Sequence, residues 1–276
     1  MQRLAFAALY GDYYREFCFN IFSRPFKMAF IQHFRFLFLF SPRWTSYLKF
    51  VKRTNHMLPK QDNTGTFRKY VVEFVGTFFL VMTICMTTVG GAGQLAPMAA
   101  GLMLIVIMYS SFHISGGHFN PAVSLAVYLR GKLNSGDVLP YIVGQFLGGT
   151  LAAMLAGFLL SSMGIPEVSP KELDIVPSLI AELLGTILFV YVFLNLTTVK
   201  KTAGNVFYGL ALGCTLIATM YAFGGVTVGA FNPAIALSLT MANLTSWGSI
   251  WIFLVANFAG GVLAAFLSQY VNGPEA

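Results

Sequence analysis

His118-Phe119-Asn120-Pro121-Ala122-Val123 and Ala230-Phe231-Asn232-Pro233-Ala234-Ile235 are two copies of one pattern, 112 residues apart. Asn is a strong helix N-cap, and Pro suits the first helical position, where its missing N–H would be unpaired anyway. One such triplet alone is only a capped helix. The residues after each copy are unusual. Pro121–Leu129 and Pro233–Met241 are apolar pieces of nine residues each. As helix each is about 14 Å long, half of the ~30 Å hydrocarbon core of a bilayer. Neither crosses alone, but two of them end to end would.

The flanking sequence repeats as well. Glu73-Phe-Val-Gly-Thr-Phe-Phe-Leu-Val81 matches Glu182-Leu-Leu-Gly-Thr-Ile-Leu-Phe-Val190, and Gln145-Phe-Leu-Gly-Gly-Thr-Leu-Ala-Ala153 matches Asn257-Phe-Ala-Gly-Gly-Val-Leu-Ala-Ala265. Around these blocks lie six apolar runs long enough to span, near residues 70–90, 97–116, 138–161, 178–198, 204–224 and 248–270. Each half, about 69–161 and about 178–270, holds three of them. An odd number turns the second half upside down, so the expected fold is an all-α membrane protein with six transmembrane helices and two re-entrant half-helices in an inverted repeat. The half-helices then enter from opposite faces and meet near the midplane. Broken backbone at that depth needs protein or a water-filled cavity to satisfy it.

Composition agrees. The 276-residue chain is 57% hydrophobic and 10% charged, against about 25% charged in soluble domains. That argues against a soluble enzyme, a disordered chain or a nucleic-acid binder, despite a net charge of +7. Three Cys form no disulfide framework and fit no metal-ligand spacing, and no nucleophile–base pair is visible. No metal and no cofactor is expected.

The basic excess is local. Residues 1–56 hold nine Lys/Arg and two acids, whereas residues 57–276 hold eight of each. Met28–Phe40 is apolar but too short to cross, is interrupted by Arg35, and lacks the ordered regions of a signal peptide. Met57 opens a short polar leader before the first span. Residues 1–56 are therefore set aside as an extension, disordered or absent from the working protein, and 57–276 as the channel domain. Within the latter, Arg68, Lys69, Arg130, Lys132, Lys200 and Lys201 fall on one side if each half-helix leaves by the face it entered. The loop Gly164–Pro177 on the other side carries Glu167, Glu172 and Asp174 against one Lys171. The positive-inside rule puts both termini in the cytosol.

Two half-helix N-termini at the centre bring about half a positive charge each. Each Asn oxygen caps its own helix, leaving the NH₂ free for the cavity. A water oxygen accepting from both Asn120 and Asn232 must point its hydrogens toward the two mouths. A proton wire needs every water aligned one way, so it breaks there. The dipole ends also repel cations, and neutral molecules meet neither obstacle.

The paired Asn-Pro-Ala boxes (Asn120, Pro121, Ala122 and Asn232, Pro233, Ala234), the stretch Ser115-Gly-Gly-His-Phe-Asn-Pro-Ala-Val and the repeated Glu-x-x-Gly-Thr resemble the aquaporin, or major intrinsic protein, family over about Lys69–Tyr270. The resemblance implies a passive channel for water and small neutral solutes (urea, ammonia, glycerol), dipole and charge barriers to cations, and a homotetramer with one pore per protomer. It also implies a constriction at four positions, which its spacings place at Ala100, Met220, Gly229 and Ile235. Water-selective relatives tend to carry an aromatic residue, His, a small residue and Arg there. This sequence departs at three positions, most consequentially at Ile235, which removes a fixed charge and its fan of donors. Ala100 widens the gap, and flexible Met220 refills part of it. An aliphatic residue at the Arg position resembles some plant vacuolar members, which favours an intracellular membrane. Ala236 replaces the Asp that glycerol channels favour, so a dedicated glycerol facilitator is not expected.

Glu73 and Glu182 are acids inside apolar spans, which is costly and usually functional. In one reading they are ion sites of a coupled secondary transporter, a class that also uses inverted repeats and broken helices. In the other, implied by the resemblance, each accepts backbone N–H groups from the re-entrant loops. His118 is either a pH sensor or a pin for its loop. Gly101, Gly148, Gly149, Gly209, Gly260 and Gly261 read as helix-crossing points, and Cys85 and Cys214 as core thiols. The sequons at Asn195 and Asn243 read as unused.

Overall fold

The computed structural model describes residues 65–273. The expected extension, residues 1–56, lies outside them. Eight α-helices run in chain order among the described residues: α1 (Thr66–Val89), α2 (Ala96–Ser115), α3 (Pro121–Leu129), α4 (Ser135–Ser162), α5 (Ile175–Thr197), α6 (Tyr208–Phe223), α7 (Pro233–Met241) and α8 (Ile250–Asn272). The two nine-residue pieces are helices with the bounds expected from sequence.

Five of the six long helices have the length and apolarity to cross a bilayer. The other, α6, has 16 residues, so it rises about 24 Å, short of the ~30 Å core. The expected span 204–224 is shortened at both ends. Gly204 has φ 82° and the Asn205 side chain accepts the Phe207 N–H at 2.9 Å, so the helix starts only at Tyr208. At the other end the chain leaves the helix at Gly224 to reach the second Asn-Pro-Ala box.

Packing repeats across the two halves. Helix α1 packs on α4 as α5 packs on α8, and α1 on α2 as α5 on α6. The half-helices are exchanged: α3 lies against α8, and α7 against α4. Small residues permit these approaches. A Cβ on Gly148 would strike the Phe74 carbonyl, one on Gly149 the Ser238 hydroxyl, and one on Gly261 the Ala122 carbonyl at 2.8 Å. Helices α2 and α6 cross where a Cβ on Gly101 or Gly213 would strike the other's carbonyl. Lipid tails are as apolar as the helix surfaces, so such close packing is what holds spanning helices together.

Helix α8 shows that the half-helices point opposite ways. It begins just after α7. At its far end the Gln269 side chain donates to the Leu129 carbonyl, the last residue of α3, at 3.1 Å. The C-terminal ends of α3 and α7 are thus separated by the length of α8, 23 residues or about 35 Å. Their N-termini face each other between. Cys85 is buried as expected, but Cys214 is exposed: it sits on the outward stripe of α6, where an apolar thiol faces lipid as readily as core.

Candidate functional site: the meeting point of two half-helices

Each half-helix is capped by its own Asn. Asn120 Oδ1 accepts the Ala122 N–H at 2.9 Å, and Asn232 Oδ1 accepts the Ala234 N–H at 2.9 Å. The amide NH₂ groups are not free, contrary to the expectation from sequence. Asn120 Nδ2 donates to the Phe231 carbonyl at 3.0 Å, and Asn232 Nδ2 donates to the Phe119 carbonyl at 2.8 Å. Each asparagine spends one N–H bracing the opposite half-helix. Its second N–H remains for the cavity. Buried carbonyls just outside a helix start need a donor, and here the facing motif supplies it.

The carbonyls that receive these bonds belong to residues in an unusual backbone conformation. Phe119 has φ 49° and Phe231 φ 46°, a region costly for a residue with a Cβ. Two anchors hold each turn. The first is a carboxylate. Glu73 accepts from the His118 N–H at 2.9 Å, the Phe119 N–H at 2.6 Å, the Ser115 hydroxyl at 2.7 Å and Gln145 Nε2 at 2.7 Å. Glu182 accepts from the Ala230 N–H at 3.0 Å, the Phe231 N–H at 2.8 Å and the Thr227 hydroxyl at 2.7 Å. The second anchor is a glycine. Gly76 and Gly185 leave the space filled by the Phe119 and Phe231 rings, where an added Cβ would overlap the carbons at the ring edge. The Glu-x-x-Gly spacing is thereby explained: three residues apart on a helix face, the acid grips the turn's N–H groups and the glycine receives its ring.

Sequence reasoning misses Ser115 and Thr227 as anchors. They stand at the same 112-residue offset as the motifs. Each also accepts an N–H two residues on, from Gly117 at 3.1 Å and from Gly229 at 2.8 Å. Gly117 and Gly229 both have positive φ, 62° and 69°, so the glycine at position 229 has a backbone reason of its own.

The halves are not identical. Gln145 reaches Glu73, and its Nε2 also lies 2.9 Å from the Ser124 hydroxyl. Its counterpart Asn257 is one methylene shorter and instead accepts from the Thr186 hydroxyl at 2.8 Å. His118 places Nδ1 3.0 Å from the same Ser124 hydroxyl, which favours the pinning role.

Both asparagines, His118, Ile235, Leu80 and Leu104 line one cavity between the half-helices. Its volume open to the centre of a water molecule is about 10 Å³, room for about one water. Of the four expected constriction residues, Ile235 lines this cavity. Met220 lies beside Gly229, whose Cβ position is 3.6 Å from the Met220 Cγ. Ala100 is fully buried on α2. Asn195 is tied to α8 through Asn272.

Comparisons with known proteins agree with this geometry. The major intrinsic protein family profile matches residues 68–268. Glycerol uptake facilitator protein-like 6 of Lactiplantibacillus plantarum is 31% identical over 217 residues, 75% of this chain and 100% of that protein. Aquaporin Z of Rhodopseudomonas palustris is 33% identical over 229 residues, 75% of this chain and 94% of that one. Among solved structures, the aquaglyceroporin of Plasmodium falciparum superposes with a TM-score of 0.66 at 23% identity, covering 76% of this chain and 98% of that one, a likeness of fold. With Glu73 and Glu182 committed to loop N–H groups and neutral amides at its centre, the chain is a non-enzymatic, passive transmembrane channel for water and small solutes, a member of the major intrinsic protein family.

Proposed function

We propose that water and small uncharged solutes pass in single file between Asn120 and Asn232, and that protons stop there. One observation carries this reading: each amide is held by its own helix cap and by the opposite turn, with one N–H left over in a cavity the size of one water. A water oxygen accepting from both amides is turned so that no proton relay passes through it. Ala100, Met220, Gly229 and Ile235 form the selectivity constriction. Without a guanidinium, that constriction admits solutes such as urea, ammonia or glycerol beside water. The aliphatic residue at position 235 is also the ground for placing the protein in an intracellular membrane, and the loop charges for placing both termini in the cytosol. The working unit is a homotetramer of residues 57–276 with one pore per protomer, residues 1–56 being an extension to it. The family match beginning at residue 68 supports that division.

Osmotic swelling of proteoliposomes tests the reading with water, glycerol, urea and ammonia in turn. Rapid swelling with water and at least one other solute, and no proton current, is the expected result. Water flux at the level of empty liposomes, or a current coupled to solute uptake, overturns it.

A further inference from the structure

The cavity between the half-helices is lined by matching residues of the two repeats. Leu104 of α2 pairs with Leu216 of α6, and Asn120 with Asn232, each at the 112-residue offset of the motifs. Leu80 of α1 and Phe189 of α5 are counterparts too, at the 109-residue offset of the Glu-x-x-Gly-Thr blocks, and both line the cavity. Their place follows from the helix period. Leu80 stands seven residues after Glu73 and four after Gly76, and Phe189 stands seven after Glu182 and four after Gly185. Residues at these spacings share one helix face. The face that grips the turn with its acid and seats the turn's ring over its glycine therefore meets the cavity one turn further on.

At this position the repeats differ: α1 offers an aliphatic side chain and α5 an aromatic ring. The Phe119 and Phe231 rings, which also line the cavity, belong to the turns and sit over Gly76 and Gly185. Of the lining residues outside the two Asn-Pro-Ala turns, Phe189 is the largest. It is 6% exposed, so packing holds its ring in place beside the amides. The room left there is about 10 Å³, enough for one water. A ring set in a packed apolar wall does not make way for a broader solute without strain on its rotamer and its neighbours. Ammonia has the girth of water, whereas urea and glycerol are broader.

We propose that Phe189 is a size-selecting residue of the channel, acting at the level of the two amides in addition to the constriction. Water and ammonia pass beside its ring, and urea and glycerol are slowed there. A constriction without a guanidinium thus does not leave the channel equally open to every small neutral solute. The ring carries no charge and shares its cavity with neutral amides, so it sorts by breadth and not by polarity. The inference rests on the proposed conducting path past Asn120 and Asn232, and water flux separates failure of the one from failure of the other.

The test is stopped-flow permeability of proteoliposomes to ammonia, urea and glycerol, each taken as a ratio to water. Phe189→Leu gives α5 the side chain that α1 carries at the matching place. Its urea and glycerol ratios rise about tenfold over the wild type, the lower end of what a small change of volume is worth in an apolar pocket. Its ammonia ratio stays as in the wild type. Leu80→Phe adds a ring on the α1 side and lowers the urea and glycerol ratios below the wild type. Phe193→Leu changes a buried ring one turn further along α5, outside the cavity lining, and moves none of the ratios. Unmoved urea and glycerol ratios in Phe189→Leu or in Leu80→Phe overturn the proposal. An equal rise in Phe193→Leu, or an ammonia ratio that rises with the others, also overturns it, because a general loosening of α5 would behave so. If the wild type itself conducts no water, the conducting path fails, and the inference falls with it.

Discussion

Asn120 donates to the Phe231 carbonyl at 3.0 Å across the junction of the two half-helices, and the reverse bond, Asn232 to Phe119, measures 2.8 Å. The pair makes each motif a structural part of the other. An amide caps its own helix with its oxygen, braces the opposite turn with one N–H, and presents the last N–H to the cavity. An aspartate keeps the oxygen but loses the donors, and an alanine loses all three.

The first prediction concerns this pair. Asn120→Ala removes a cap and a buried bond to a carbonyl, costing about 2–3 kcal/mol. The melting temperature in detergent falls accordingly. In liposomes loaded with a pH-sensitive dye, Asn120→Asp leaks protons faster than wild type, because a carboxylate reverses the local charge. A double variant, Asn120→Leu with Asn232→Leu, that conducted like wild type would refute the central role of the amides.

A second prediction comes from the glycine under each ring. Gly76→Ala places a methyl inside the volume of Phe119 and costs about 3 kcal/mol by overpacking. Gly185→Ala does the same against Phe231. The two residues of each pair are in contact, so their effects do not add. Thermal unfolding of Gly76→Ala, Phe119→Ala and the double variant should show the double variant little worse than Phe119→Ala alone; simple additivity would count against the contact.

The buried acids separate a channel from a coupled transporter. Glu73 accepts four hydrogen bonds, so Glu73→Gln turns one oxygen into a donor facing donors. At about 1–3 kcal/mol for each buried group left unpaired, the expected effect is loss of folded protein, measured by size-exclusion recovery after mild heating. Glu182→Gln, with three donors to satisfy, is the milder of the two. A variant that stayed fully folded and lost only an ion-coupled current would contradict this assignment.

Ile235 lines the cavity beside both amides. Ile235→Arg adds a bulky cation there and restores five donors. The ratio of urea to water permeability should fall about tenfold, the equivalent of roughly 1.4 kcal/mol of added barrier. Stopped-flow swelling with each solute reads the ratio, and an unchanged ratio would place position 235 outside the selective path.

Much of this architecture is legible from the chain itself because it rests on local chemistry and on lengths. Pro121–Leu129 and Pro233–Met241 have the expected bounds, since an Asn cap and a Pro at the first helical position fix a helix start without tertiary help. The matching Glu-x-x-Gly-Thr blocks, with three spans in each half, require the inversion. Helix α6 reads too long in the sequence because Val206 and Phe207 look like part of a span, whereas the Gly204–Asn205 turn holds them out of the helix. Cys214 reads as buried because a helix that is apolar on nearly every side has no clear stripe in its sequence to say which side meets lipid.

Hydropathy, span lengths and the doubled Asn-Pro-Ala pattern are therefore enough for the fold, its inversion and the residues at its centre, since each depends on the chain's own periodicity and end chemistry. Only the assembled structure reveals the bonds from each amide to the opposite turn and the seats for Phe119 and Phe231 under Gly76 and Gly185. These join residues from 43 to 113 positions apart. Which distant donor meets which buried carbonyl depends on how the helices pack, and no pattern confined to neighbouring residues encodes it.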